Sequence, residues 1–163
     1  MKLSTGVLWG VVVGLIIGAL WGVIGYLGII AIEDEFREFV KQQIIAVGGR
    51  PEDAERAVQM TMDWLLVSLV VSSVTFGALI FLIVGVAMAL VWKKLKIQWF
   101  GKGALFAIVL VAILNLPSLI LPPPPGLPTP PLEYSAASAV VTFLGPMLLA
   151  YLLQLRGGSV STS

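Results

Sequence analysis

Residues 7–32 read VLWGVVVGLIIGALWGVIGYLGIIAI, with no charged side chain among them. Gly6, Gly10, Gly14, Gly18 and Gly22 follow one another at intervals of four, and Gly25 and Gly28 continue the row at intervals of three. Residues four apart lie one above another on a helix face. A helix with glycine at those places carries a groove where side chains would stand. Small-xxx-small segments of this kind let two membrane helices approach closely. The stretch is therefore a membrane helix made to be packed against, and the rest of the chain supplies partner helices and loops.

The composition agrees with this reading. Of 163 residues, 58% are hydrophobic and only 12% charged, and the mean hydropathy is +1.01. A water-soluble domain of this length needs far more polar surface, so the class is an integral membrane protein, all-α. A signal peptide fits poorly: the charge-free run extends over residues 3–32, against roughly 7–15 residues for a signal h-region. There is no cysteine and no histidine, which removes disulfides, thiolate sites and the commonest general base and metal ligand. Asn115 is the single asparagine, and prolines crowd one loop. Few thermolabile residues with many loop prolines point to a thermophilic source.

Beyond the first span the chain turns polar at Glu33, Asp34, Glu35, Arg37, Glu38 and Lys41. Phe36, Val40, Ile44 and Val47 fall on one face of a short amphipathic helix. Gly48 and Gly49 end it, and Pro51 suits the first turn of the next helix. Residues 33–63 thus form an extracytoplasmic helical hairpin, a cap over the membrane helices or a docking surface. The second span covers residues 64–92, with Trp64 and Trp92 at its ends. Ser68, Ser72 and Thr75 share one face, and Gly85 and Ala89 form a small pair. These are expected to mate with the glycine row, since small residues and hydroxyls collect where membrane helices touch.

Lys93, Lys94, Lys96 and Lys102 make a basic turn without an acid. It reads first as a topology signal; the alternative is a contact for anionic lipid. The third span is residues 103–121. The proline-rich segment 122–133 reads as an extended polyproline strap. The fourth span is residues 134–155, in which Gly145 and Pro146 are expected to kink the helix. Residues 157–163 read as a short disordered tail. The basic turn, Lys2 and Arg156 outweigh the basic residues of the other loops, so the expected topology is four spans of a multi-pass cell-membrane protein with both termini cytoplasmic.

Little chemistry is visible. No nucleotide-binding motif stands in a βαβ setting, and no acid lies within the spans, which argues against an autonomous proton-coupled carrier. The loop acids are spread around a helix rather than gathered for a cation. Basic residues are too few for a nucleic-acid footprint. The sequence implies no catalytic set, no metal and no cofactor. The glycine row resembles the glycine zippers of oligomeric membrane proteins, a packing motif that carries no function with it. The expected partners are the lipid bilayer and other membrane subunits or further copies of the chain. The expected function is a structural or accessory subunit of a membrane assembly, not an enzyme. The alternative is a pore or passive channel component with the hydroxyl face lining a path.

Overall fold

The computed structural model describes residues 2–120 and 126–157. Among them the chain forms five helices and no strand: α1 Leu3–Ile30, α2 Glu33–Ala46, α3 Pro51–Val91, α4 Trp99–Ile120 and α5 Leu132–Gly157. Four stretches are long and apolar enough to cross a bilayer: Leu3–Ile30, Pro51–Val91, Trp99–Leu116 and Leu132–Arg156. The protein is an all-α multi-pass membrane protein. The start of the proline strap, 122–125, and residues 158–163 of the expected tail lie outside the described residues.

The first span stops at Ile30 rather than Ile32. Ala31 donates its N–H to the Leu27 carbonyl and Ile32 to that of Ile29, at 3.0 and 3.2 Å. A new helix then starts where Glu33, Asp34 and Glu35 fill its first turn, at the positive end of the helix dipole. α2 ends as its glycines demand. Gly48 has φ +90° and donates to the Ile45 carbonyl (3.0 Å), while Gly49 donates to that of Ile44 (2.9 Å). That pair of bonds is the Schellman closure, which satisfies carbonyls the helix end leaves open. Pro51 then opens α3, with Glu52 and Asp53 in its first turn.

α2 folds back along the start of α3. Arg37 Nη1 donates to Gln59 Oε1 at 3.1 Å, and Lys41 pairs with Glu55 at 3.3 Å. Both contacts are exposed and worth little. The apolar seat is firmer, because Ala54, Val58 and Met62 of α3 are buried. α1 and α2 in succession therefore run antiparallel to one unbroken helix. The 41 residues of α3 span about 60 Å at 1.5 Å each, twice the ~30 Å of hydrocarbon. The excess is the hairpin, which stands outside the bilayer.

Within the bilayer the most extensive interface is α1 with α3. The other side of α1 meets α5, and α5 carries α4. Val13 and Ile17 of α1, Phe81 and Met88 of α3, Leu110 of α4 and Leu149, Ala150 and Leu153 of α5 form the buried core. Residue pairs fix the direction of each helix. The Trp9 ring lies 6.0 Å from the Arg156 guanidinium, and the Trp99 and Tyr151 rings meet at a tilt with centroids 5.5 Å apart. The start of α1, the end of α5 and the turn after α3 thus share one end of the bundle. The hairpin and residues 126–131 share the other. Outward-facing Leu15, Leu20, Val67, Ile83 and Ile113 cost nothing against acyl chains, which are as apolar as they are.

The Schellman closure gives a local test. No atom would obstruct a side chain at Gly48, so only the backbone conformation opposes one. Gly48→Val should destabilise the hairpin by about 1–2 kcal/mol. Hydrogen exchange should accelerate in α2 and at the start of α3, with exchange in the spans unchanged. Gly48→Asn should do less.

Candidate functional site

Two features gather the residues singled out above: a glycine seam between α1 and α3, and a hydroxyl-lined cleft at the hairpin end. The seam is made by backbone. A Cβ placed on Gly6 would strike the Gly85 carbonyl, one on Gly10 that of Phe81, and one on Gly14 that of Gly77. On Gly18 it would lie 2.6 Å from the Ser73 carbonyl oxygen. The relation is reciprocal, since a Cβ on Gly77 would meet the Gly14 carbonyl at 2.5 Å and one on Gly85 would meet that of Gly6. Glycine Cα–H groups thus point at carbonyls across the interface, the geometry of Cα–H···O contacts. The fit loosens toward the hairpin. At Gly22 the nearest atom is Val70 Cα at 3.3 Å, and at Gly25 it is the end of the Leu69 side chain at 3.0 Å.

The row on α3 that receives these glycines is Ser73, Gly77, Phe81, Gly85 and Ala89, again at intervals of four. Gly85 and Ala89 belong to it. Ser68, Ser72 and Thr75 do not. Their hydroxyls bond the carbonyls of Leu65, Leu69 and Val71 in their own helix, at 3.0, 3.1 and 2.9 Å, and Ser72 and Thr75 are exposed. A membrane hydroxyl is satisfied this way without a partner helix. Phe81 is the residue that sequence reasoning missed. Its carbonyl faces Gly10 of α1, while its fully buried ring packs beside Trp21 (centroids 6.2 Å apart) and occupies the space left by Gly145 of α5. The four-residue interval was the available signal, but a phenylalanine in the row hid it.

Gly145 and Pro146 therefore serve a packing contact. α5 continues through both as one helix, and both are buried. A second link ties α1 to α5: Trp21 Nε1 donates to Thr142 Oγ1 at 3.1 Å, and that hydroxyl donates to the Ser138 carbonyl at 2.7 Å. Gly103 plays the same part for α4, where a Cβ would lie 3.0 Å from Met147 Cα.

The four lysines divide. Lys93, Lys94 and Lys96 are exposed. Lys102 is buried, donates to the Trp92 carbonyl at 2.8 Å and lies 4.3 Å from the Trp92 ring centroid. Because α4 begins at Trp99, Lys102 sits on its first turn and reaches back to close the end of α3. It is not placed to meet lipid as the other three are.

The cleft has a volume of about 530 Å³. Trp21, Gly25 and Gly28 of α1, Phe76 of α3 and Leu114 and Asn115 of α4 line it, with α5 from Tyr134 to Thr142 as its floor. It exists because α4 leans on α5 and stays clear of α1. Asn115 Nδ2 donates to the Val111 carbonyl at 2.7 Å. A smaller charged recess in the hairpin lies among Asp34, Arg37, Glu38, Lys41 and Glu55. The larger cleft offers apolar walls and hydroxyls, a setting for binding.

The seam predicts a graded response. Gly14→Ala forces a Cβ against the backbone of α3 and should cost about 1–3 kcal/mol, read as a lower melting temperature in mild detergent. Gly22→Ala should cost distinctly less. Ile16→Ala, on a lipid-exposed position, should leave melting nearly unchanged. Neither a protein-family model, nor a curated protein, nor a solved structure matches this chain.

Proposed function

We propose that this protein is a structural or accessory subunit of a membrane assembly, held rigid by glycine-zipper packing and presenting its hairpin to a partner. The observation that carries this reading is the length and continuity of α3. The 13 residues 51–63 that precede its expected span project about 20 Å beyond the hydrocarbon. α2 braces that arm, yet no residue of α2 is fully buried. Ile45, Val47 and Met60 expose apolar side chains, Val47 to 85%. An arm stiffened by two antiparallel helices transmits position from membrane to partner better than a loop would. The glycine row itself is consumed by α3 within one chain, so the partner surface lies elsewhere.

The same reading sets the arm outside the cell and both termini in the cytoplasm. The end where α1 starts and α5 stops carries Lys2, Lys93, Lys94, Lys96, Lys102 and Arg156, and the acids lie toward the other end. Short loops rich in lysine stay on the cytoplasmic side. The pore alternative would need several copies, because Ser72 and Thr75 face outward rather than into the bundle.

Purification in mild detergent tests the proposal. The expected result is a complex larger than the monomer from which Val47→Asp and Met60→Asp release the partner without lowering the melting temperature. A homo-oligomer of this chain with no other protein in it that passes small solutes in liposomes would favour the pore instead. The absence of native cysteine permits a clean topology test. A cysteine at Glu52 should react with an impermeant maleimide in intact cells, and one at Lys96 only after permeabilisation. The reverse pattern would invert the orientation.

A further inference from the structure

The cleft between α1 and α4 is set at a depth that ordinary lipid does not match. Glu133 is the charged residue in the first turn of α5, and the cost of placing a carboxylate in hydrocarbon sets the bilayer boundary at its level. Ser138 lies five residues further in, about 7–8 Å deeper along the helix. Asn115 is 13 residues from Lys102, about 20 Å from the opposite boundary, which leaves it some 10 Å below the near one in ~30 Å of hydrocarbon. Ser138 and Asn115 therefore line this cleft well below the level at which a phospholipid's phosphate holds its ester oxygens, while Ser135, two residues past Glu133, stands about 3 Å inside the boundary. Among the described residues the Ser135 and Ser138 hydroxyls make no intramolecular hydrogen bond, whereas Thr142 beside them makes two. A bare acyl chain packed there offers neither hydroxyl a partner, and in this structure neither turns back to its own helix as Ser68 and Ser72 do, so both would stay unpaired in hydrocarbon, which is unfavourable.

We propose that the cleft binds one uncharged, oxygen-bearing amphiphile from the bilayer, a neutral glycerolipid of the diacylglycerol kind. Its hydroxyl and ester oxygens meet Ser135 and Ser138, and a hydrocarbon chain lies along Ile24, Phe76 and Leu114. Three observations select this class. No charged side chain lines the cleft, and a charged group at this depth would be expensive. Without a phosphate, a glycerolipid's oxygens can sink to the serine level. The volume of about 530 Å³ falls in the range of small-ligand sites, roughly 300–1,000 Å³. Entry is lateral, since α1 and α4 do not close on each other there. This inference is independent of the arm and its partner.

Photo-crosslinking in nanodiscs tests it, with a diacylglycerol carrying a diazirine in one acyl chain as probe and phosphatidylcholine as the bulk lipid. Adducts should concentrate in residues 21–28, 114–115 and 134–142. Excess unlabelled diacylglycerol should suppress them several-fold, and added phosphatidylcholine should not. Ser138→Leu should lower the yield several-fold, while Ser138→Thr, which keeps the hydroxyl, restores it. Ser72→Leu on the outer face of α3 should have no effect. Adducts spread evenly over the exposed helix faces, or competed equally by phosphatidylcholine, would reduce the cleft to ordinary lipid contact and overturn the proposal. So would an unlabelled cleft, or a yield indifferent to Ser138→Leu.

Discussion

Everything in this bundle follows from the approach of two backbones. Where α1 meets α3, glycines remove the side chains that keep helices apart, and carbonyls of one helix face Cα–H groups of the other. In a bilayer there is no hydrophobic force between helices, so association depends on packing and hydrogen bonds. Dispersion contacts are individually small and numerous, and a seam this close gathers many of them. It also decides what α1 can do on its remaining surface. Val13 and Ile17 are fully or almost fully buried in the shared core, and Trp21 bonds Thr142 of α5. α5 thus completes a trio with α1 and α3, and α4 is added to α5 through Gly103.

The seam also explains the reach of the hairpin. An antiparallel pair locked inside the membrane holds its register outside it, so α2 meets the start of α3 where Lys41 and Arg37 find Glu55 and Gln59. The ends are closed by local devices: the Schellman turn at Gly48 and Gly49 above, and Lys102 on the Trp92 carbonyl below. Between them, α4 departs from α1 and leaves the cleft. Rigidity on one side of α1 and a gap on the other are two results of the same packing.

Much of this was legible in the sequence, and what was not has physical reasons. Charge-free runs give the four spans because a hydrocarbon slab filters composition directly. The α1 half of the seam is legible because its glycines stand at a helical interval. The α3 half is not, since Phe81 interrupts the small residues and meets Gly10 through its carbonyl. Ser68, Ser72 and Thr75 make the more visible row, yet a helix can satisfy hydroxyls by itself. Lys102 resembles its three neighbours until α4 is seen to start at Trp99, which turns it inward. The cleft has no local signal, because it arises from where α4 does not go.

Solid-state NMR on protein labelled with 13Cα-glycine in lipid bilayers addresses the seam most directly. A Cβ on Gly77 would lie 2.6 Å from Gly18 Cα, and one on Gly85 3.0 Å from Gly10 Cα. Those glycine Cα pairs therefore approach to about 4 Å, closer than the ~6 Å between glycines one turn apart on the same helix. Gly18–Gly77 and Gly10–Gly85 cross-peaks should appear and persist when labelled protein is diluted with unlabelled protein. Cross-peaks that vanish on dilution would place the glycine row between chains, and their absence altogether would mean that α1 and α3 do not meet through glycine.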